Sequence, residues 1–218
     1  MATIYGHIPT PVNVLLDIDD TLYHQPQYRS SGGRAEIVAI AHFLECDTKE
    51  AEAYIRNRRK HIRRMTGVDA TLTQVVYALG MPADEWNRVR CSIWKPIHWL
   101  SRDTALCQAI QMFVSHPRVH YVVCGTNSPV AVGIETLAIL GLPDTLRVFG
   151  PESFSCSKPN QGFFLGIVQA VHSDVSEWIS IGDRESSDCD PALAAGFAGA
   201  ILIQGRDDLI KTIHMLGE

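Results

Sequence analysis

Neither a C-x-x-C pair nor a Cys/His ligand spacing occurs among the six cysteines, Cys46, Cys91, Cys107, Cys124, Cys156 and Cys189. Their scatter argues against a structural zinc site and against a disulfide framework, and points to reduced thiols in the cytoplasm. Residues 1–13 hold no basic run followed by an apolar stretch, so no secretory signal is expected. Uncharged runs long enough to span a bilayer are also missing. The two least charged segments, Val119 to Ile134 and Pro191 to Gly205, are short and broken by Gly, Pro or polar residues. There is no internal repeat and no low-complexity segment. With 218 residues, 46% of them hydrophobic and 20% charged, the chain reads as an ordinary globular protein of one or two domains.

The net charge of −5 conceals a split. From His24 to Asp103 there are 13 Lys and Arg against 9 Asp and Glu, a balance of +4; the remainder carries 6 against 15, a balance of −9. An acidic body with a basic insert is a poor match for a nucleic-acid polymer, which wants a basic domain. It suits a metal site in the body and an anionic substrate.

The residues around which the chain is organised are Val12 to Tyr23, V-N-V-L-L-D-I-D-D-T-L-Y. The apolar run Val14-Leu15-Leu16 predicts a buried strand of a parallel sheet, and ligands of such sheets sit beyond the carboxyl ends of the strands. Asp17 and Asp19, two residues apart, would share one face of a continuing strand. Their repulsion invites a divalent cation between them. An acidic turn closed by Thr21 is the simpler alternative.

From about Gln27 to Arg102 the pattern is helical and poor in strands. Arg34 to Leu44 has apolar residues at Ile37, Val38, Ile40, Ala41 and Leu44, at helical spacing. Asp47-Thr48 followed by Glu50 and Glu52 predicts a helix start, with a stop near Gly67. On that helix Arg56, Arg59, Lys60, Arg63 and Arg64 fall at i, i+3, i+4, i+7 and i+8, opposite Ala51, Ile55, Ile62 and Met65. This basic face reads either as a solvated side or as an attractor of anions. Thr71 to Leu79 and Ala83 to Ile93 supply two further helical segments.

After Asp103 strands and helices alternate. Strands are expected at Val119–Cys124, Leu146–Phe149, Trp178–Ile181 and Ala200–Ile203, with helices at Thr104–Val114, opening at Pro129, beginning with Ser157-Lys158-Pro159-Asn160, at Ala192–Ala195 and at Leu209–Leu216. Such alternation implies an α/β fold with a doubly wound parallel sheet, Rossmann-like in class. Asp17 and Asp19, Thr126, Lys158, and Asp183 with Asp188 all fall at strand ends or in the loops that follow. Each has an ordinary reading by itself: Thr126-Asn127-Ser128-Pro129 as a helix cap, Lys158 as a surface lysine, Asp183 to Asp188 as an acidic loop. Together they form a coherent set, because a carboxylate nucleophile needs a second acid, an anion-binding hydroxyl and amine, and a metal.

The four segments D-I-D-D-T, T-N-S, K-P and G-D-R-E-S-S-D, in this order, resemble the four motifs of the haloacid dehalogenase-like (HAD) superfamily. The insert after the first motif resembles its type 1 helical cap. The resemblance implies a core of residues 1–25 and 103–218 and a cap of residues 26–102. It implies Asp17 as the nucleophile that takes a phosphoryl group, and Asp19 as the general acid and base. Asp17, the backbone carbonyl of Asp19, and Asp183 would hold Mg²⁺, with Asp188 supporting the metal or orienting Lys158. Thr126 and Lys158 would bind the transferring phosphoryl oxygens, and Asn127 would brace the loop. Asp19 makes the dehalogenase and phosphonatase branches, which lack that acid, a poorer match. The first motif, continuing T-L-Y, is similar to the pyrimidine 5′-nucleotidase-like and phosphoglycolate phosphatase-like group, with Asp20 replacing the more usual Gly or Asn. The activity implied is a Mg²⁺-dependent phosphatase acting on a small phosphomonoester. The alternatives are a phosphomutase or phosphotransferase on the same residues, and a non-catalytic protein that docks through the basic helix.

Overall fold

The computed structural model describes residues 2–67 and 70–217; Met1, Val68, Asp69 and Glu218 lie outside the described residues. The chain divides into two compact units, one of Met1–Gln25 with Pro96–Glu218 and one of Pro26–Lys95. Residues 96–102, expected in the helical insert, therefore belong to the α/β unit, where Pro96–His98 form a single 3₁₀ turn packed against the helix that follows Pro129.

The α/β unit contains the strands β1 (Thr3–Gly6) and β2 (Val12–Asp17) before the insert. The helices α1 (Pro26–Phe43), α2 (Thr48–Thr66), α3 (Leu72–Ala78) and α4 (Ala83–Ile93) make up the second unit. The chain then returns through α5 (Thr104–Val114), β3 (Val119–Gly125), α6 (Val130–Leu140), β4 (Arg147–Phe149), α7 (Pro151–Phe154) and α8 (Gln161–Val171). It ends with β5 (Trp178–Gly182), α9 (Asp190–Ala194), β6 (Gly199–Leu202) and α10 (Arg206–Leu216). The sheet order is β1-β6-β5-β2-β3-β4, parallel except for β1, which runs antiparallel to β6. β1 was not expected from the sequence. It is a largely exposed edge of four residues whose place depends on backbone pairing with β6, so it carries no apolar alternation to read.

β2 lies in the middle of the sheet and every residue of it is buried. Val14 and Leu16 point into a cluster with Leu106, Ile110 and Phe113 of α5, Leu137 of α6, and Leu209 and Ile213 of α10. Leu15 points the other way, into a cluster with Phe163, Phe164, Ile167 and Val168 of α8. Both faces are thus covered, which is why the strand reads as a continuous apolar run.

In the helical unit, α2 follows the sequence closely. Asp47 and Glu50 form a reciprocal capping box, and Gly67 closes the helix in the left-handed conformation at φ 76°. Arg56, Arg59, Lys60, Arg63 and Arg64 are exposed, while Ala51 and Ile55 are buried and Ile62 partly so. Met65, assigned to the apolar face, is 75% exposed, and Val38 of α1 is 57% exposed. α1 begins at Pro26, eight residues before the periodicity at Arg34. It runs through Gly32 because the indole of Trp94 lies against that residue: a Cβ there would sit 2.4 Å from the ring. The buried Glu36 carboxylate on the same helix accepts from Arg90 Nε and Trp94 Nε1, both at 2.8 Å.

Asp103 ties two helices of the α/β unit together. It caps α5 by accepting from the Leu106 N–H at 3.0 Å and receives the Arg206 guanidinium of α10 on both oxygens, at 2.5 and 2.7 Å. Arg206 holds the Asp103 carboxyl below the usual carboxylate range, against a smaller opposing effect of burial. Asp103→Asn keeps the cap but loses the ion pair, and is expected to cost about 1 kcal/mol at neutral pH for a partly exposed pair. Because the folded-state carboxyl is depressed, that contribution is present above the unfolded value of about 3.9 and is lost as the pH falls through the folded value. Urea denaturation of the two proteins should converge at acid pH; a constant gap would refute the charge-based account.

Candidate active site

The register of the sheet brings the site together. Asp17 ends β2 opposite Gly125 of β3, so Thr126 and Asn127 leave β3 beside it. On the other side Leu16 pairs with Ile181 of β5, which puts Gly182 and Asp183 at the same level. Gly182 is required by its neighbour: a Cβ there would lie 2.4 Å from Cγ of Asp188. A π-helical turn, Glu185–Cys189, folds Asp188 back over the end of β5, and the Arg184 N–H donates to Asp188 Oδ2 at 3.1 Å.

Lys158 is 3% exposed, and its Nζ donates to Asp17 Oδ1 at 2.5 Å and to Asp188 Oδ1 at 2.6 Å. The Asn127 side-chain amide donates to the Lys158 carbonyl at 3.1 Å and so tethers the loop that carries the lysine. Thr21 Oγ1 donates to the second oxygen of Asp17 at 2.7 Å. Burial favours the neutral amine of Lys158, but Asp17 and Asp188 together outweigh it and push the group above its ordinary value. Burial pushes the Asp17 carboxyl up; Lys158 opposes this, while Asp188 and Asp19 add to it, and the net direction is upward. Asp183 is also raised, by burial first, with Arg184 opposing and Asp188 and Asp20 adding.

Asp17, Asp183 and Asp188 can each present an oxygen within 4.8 Å of the others. The open cleft above them is lined by Asp17, Asp19, Asn127, Lys158, Asp183, Arg184, Ser187 and Asp188. Four carboxylates against two cations leave the cleft short of positive charge. Oxygen-only donors and upward-shifted carboxyls fit a hard divalent cation such as Mg²⁺.

Asp19 has different surroundings. The chain turns tightly after β2, with Leu22 N donating to Ile18 O at 3.0 Å and Asp20 in the left-handed region at φ 63°. Ile18 and Leu22 anchor the turn in the core. The turn sets Tyr23 beside Asp19, and Tyr23 OH donates to Asp19 Oδ1 at 2.6 Å. Thr126 Oγ1 and Ser128 Oγ donate to Asp19 Oδ2, each at 3.0 Å. The Thr126 hydroxyl also accepts from Ser128 N at 2.9 Å and is fully buried, so here it is engaged with Asp19 rather than directed into the cleft.

Every residue singled out from the strand ends is thus in one neighbourhood, except that Thr126 reaches the cleft through Asp19. Tyr23, Ser128 and Ser187 went unassigned in the sequence. A phenolic hydroxyl four residues after Asp19, beyond the turn-forming Asp20 and Thr21, is the sequence signal for Tyr23. Arg184 lines the cleft, 3.7 Å from Asp183. His24 Nδ1 lies 3.3 Å from Asp20 Oδ1 and is largely exposed.

Lys158→Met is expected to leave Asp17 and Asp188 facing each other in a buried site, at a cost of about 3–5 kcal/mol near neutral pH without divalent cation. A carboxyl raised in the folded state contributes stability at low pH that is lost as the pH rises through its folded value. The deficit should therefore shrink as the pH falls from about 8 to about 5, read by urea denaturation. A deficit that grows on acidification would rule this electrostatic account out.

No protein-family model matches the chain, and no curated protein matches it. Solved structures do. A haloacid dehalogenase-like family hydrolase from Xanthomonas campestris superposes with a TM-score of 0.55 at 15% identity, over 98% of this chain and 95% of that one. The HAD-hydrolase YfnB from Bacillus subtilis, bound to magnesium, gives 0.53 at 14% identity, over 93% and 98%. A 2-haloacid dehalogenase from Pseudomonas syringae gives 0.50 at 16%, over 85% and 84%. The chain has the fold of the haloacid dehalogenase-like hydrolases.

Proposed function

We propose that the protein is a Mg²⁺-dependent phosphatase that hydrolyses a small phosphomonoester through an aspartyl phosphate on Asp17. The observation that carries this reading is the buried Asp17–Lys158–Asp188 arrangement with Asp183 alongside and Asp19 at the same cleft. Asp17, Asp183 and Asp188, with the Asp19 backbone carbonyl, would hold the metal, which supplies charge neutralisation for a phosphoryl group. Lys158 orients Asp17 and offers its remaining N–H to a phosphoryl oxygen, two of its three protons being engaged by carboxylates. Asn127 braces the lysine loop.

In the first step an oxygen of Asp17 forms a bond to phosphorus with its own electron pair. The bond from phosphorus to the ester oxygen breaks, its electrons remain on that oxygen, and Asp19 delivers a proton there. In the second step Asp19 takes a proton from water, the water oxygen bonds to phosphorus, and the carboxylate of Asp17 is released. The two carboxylates, two residues apart, meet different partners: an ammonium and one hydroxyl on Asp17, three hydroxyls on Asp19.

A nucleoside 5′-monophosphate is the preferred substrate class, given the T-L-Y continuation of the first motif. Six cysteines without a disulfide among the described residues suit a reducing cytoplasm. Among those residues no helix is long and apolar enough to cross a membrane.

The test is phosphate release from nucleotides, sugar phosphates and phosphoglycolate, with Mg²⁺ or a chelator. Activity should require the metal and fall by at least about 10³-fold in Asp17→Asn, in which the nucleophile is gone. Transfer of the phosphoryl group to a sugar hydroxyl in preference to water would favour the phosphotransferase alternative. Halide release from 2-chloropropionate without phosphate release would place the chain with the dehalogenase chemistry named for one of its structural neighbours. Inactivity in both, with anionic partners retained through Arg59 and Arg63, would favour a docking protein.

A further inference from the structure

Each carboxylate oxygen has two in-plane lone-pair directions. On Asp19, Oδ2 receives two hydroxyls, Thr126 Oγ1 and Ser128 Oγ, while Oδ1 receives one among the described residues, Tyr23 OH. The direction left open for a proton therefore belongs to Oδ1. We propose that Tyr23 is a positioning residue for proton transfer: its hydroxyl holds Asp19 so that the open lone pair of Oδ1 faces the ester oxygen of the substrate. This rests on the phosphatase reading and adds to it which oxygen reacts and what aims it.

The geometry supports a positioning role over a merely structural one. Tyr23 is held close by the Ile18–Leu22 turn, and Asp19 and Tyr23 also form an isolated bridge between their backbones. At 2.6 Å the Tyr23 bond is the shortest of the three to Asp19, in keeping with a phenol being a stronger donor to a carboxylate than the aliphatic hydroxyls of Thr126 and Ser128. When Asp19 carries the proton on the open side of Oδ1, the Tyr23 bond can persist on the other side. As the P–O bond breaks, the proton moves from Oδ1 to the ester oxygen, and Oδ1 then recovers one from water in the second step. The carboxyl need not turn between the two transfers. A rotation would break all three hydroxyl bonds at once.

The distinguishing readout is dependence on the leaving group. An alkyl ester needs its oxygen protonated as it departs, whereas p-nitrophenolate departs unaided. Tyr23→Phe removes one oxygen and keeps the ring. In this variant kcat/KM, which reports events up to departure of the leaving group, is expected to fall about 10–100-fold for a nucleoside 5′-monophosphate and less than about 3-fold for p-nitrophenyl phosphate. In an Asp19→Asn background the same substitution should change the nucleotide value by less than about 2-fold, because the two residues act as one unit. Equal losses on the two esters, or a full further loss on top of Asp19→Asn, would overturn the proposal. Should Tyr23→Phe fail to fold, ring-fluorinated tyrosine at position 23 keeps the hydroxyl and alters its donor strength. It must then shift the ratio of the two esters, and an unchanged ratio overturns the proposal. Wild-type protein that hydrolyses neither ester overturns the phosphatase reading and this inference with it; an active wild type with an unaltered ratio in Tyr23→Phe overturns the inference alone.

Discussion

The ammonium of Lys158 lies between Asp17 and Asp188 in the interior, and the rest of the α/β unit is arranged so that this can happen. Three charged groups out of water are tolerable only when each is paired and hydrogen-bonded, since one partner removed leaves an uncompensated charge. The pairing draws on three distant parts of the chain: the end of β2, the loop before α8 and the turn after β5. Thr21, Asn127 and the Arg184 N–H complete the shell around them. The single lysine does not neutralise the carboxylates facing it, and the remaining deficit is one that a divalent cation could offset.

Two carboxylates at one strand end meet different partners because the backbone turns between them. β2 delivers Asp17 to the buried ammonium, and the Ile18–Leu22 turn redirects Asp19 toward Tyr23, Thr126 and Ser128. Ile18 and Leu22 secure that turn from beneath by burial in the same cluster that packs β2 against α5 and α10. Packing in the core thus sets which partners each carboxylate meets at the end of the sheet.

The helical unit is held by other means. Its apolar cluster includes Ile40, Ile55, Val75, Val76 and Trp86, and a buried Glu36 joins α1 to α4 through Arg90 and to Trp94 just beyond. The basic stripe of α2 takes no part in that core. It is the exposed remainder of a helix whose other side is used for packing.

Much of the α/β architecture and the membership of the site could be read in the order of residues. A central strand buried on both faces is largely apolar, and side chains gathered at the end of a parallel strand follow it directly; both facts appear as V-L-L-D and as the short polar segments after the later strands. Capping boxes and left-handed glycines are local as well, so α2 was readable almost to its ends. The edge strand β1, the start of α1 across Gly32 and the exposure of Met65 were not, because each depends on a neighbour far along the chain: β6, Trp94 and the outline of the helical core. The same holds within the site. Sequence determined that Asp17, Asp19, Lys158, Asp183 and Asp188 would meet at strand ends. Only the tertiary structure decided that Lys158 belongs to Asp17 and Asp188 while the Thr126 hydroxyl belongs to Asp19, since hydrogen-bond partners are chosen by distance and direction after the strands have been brought into register.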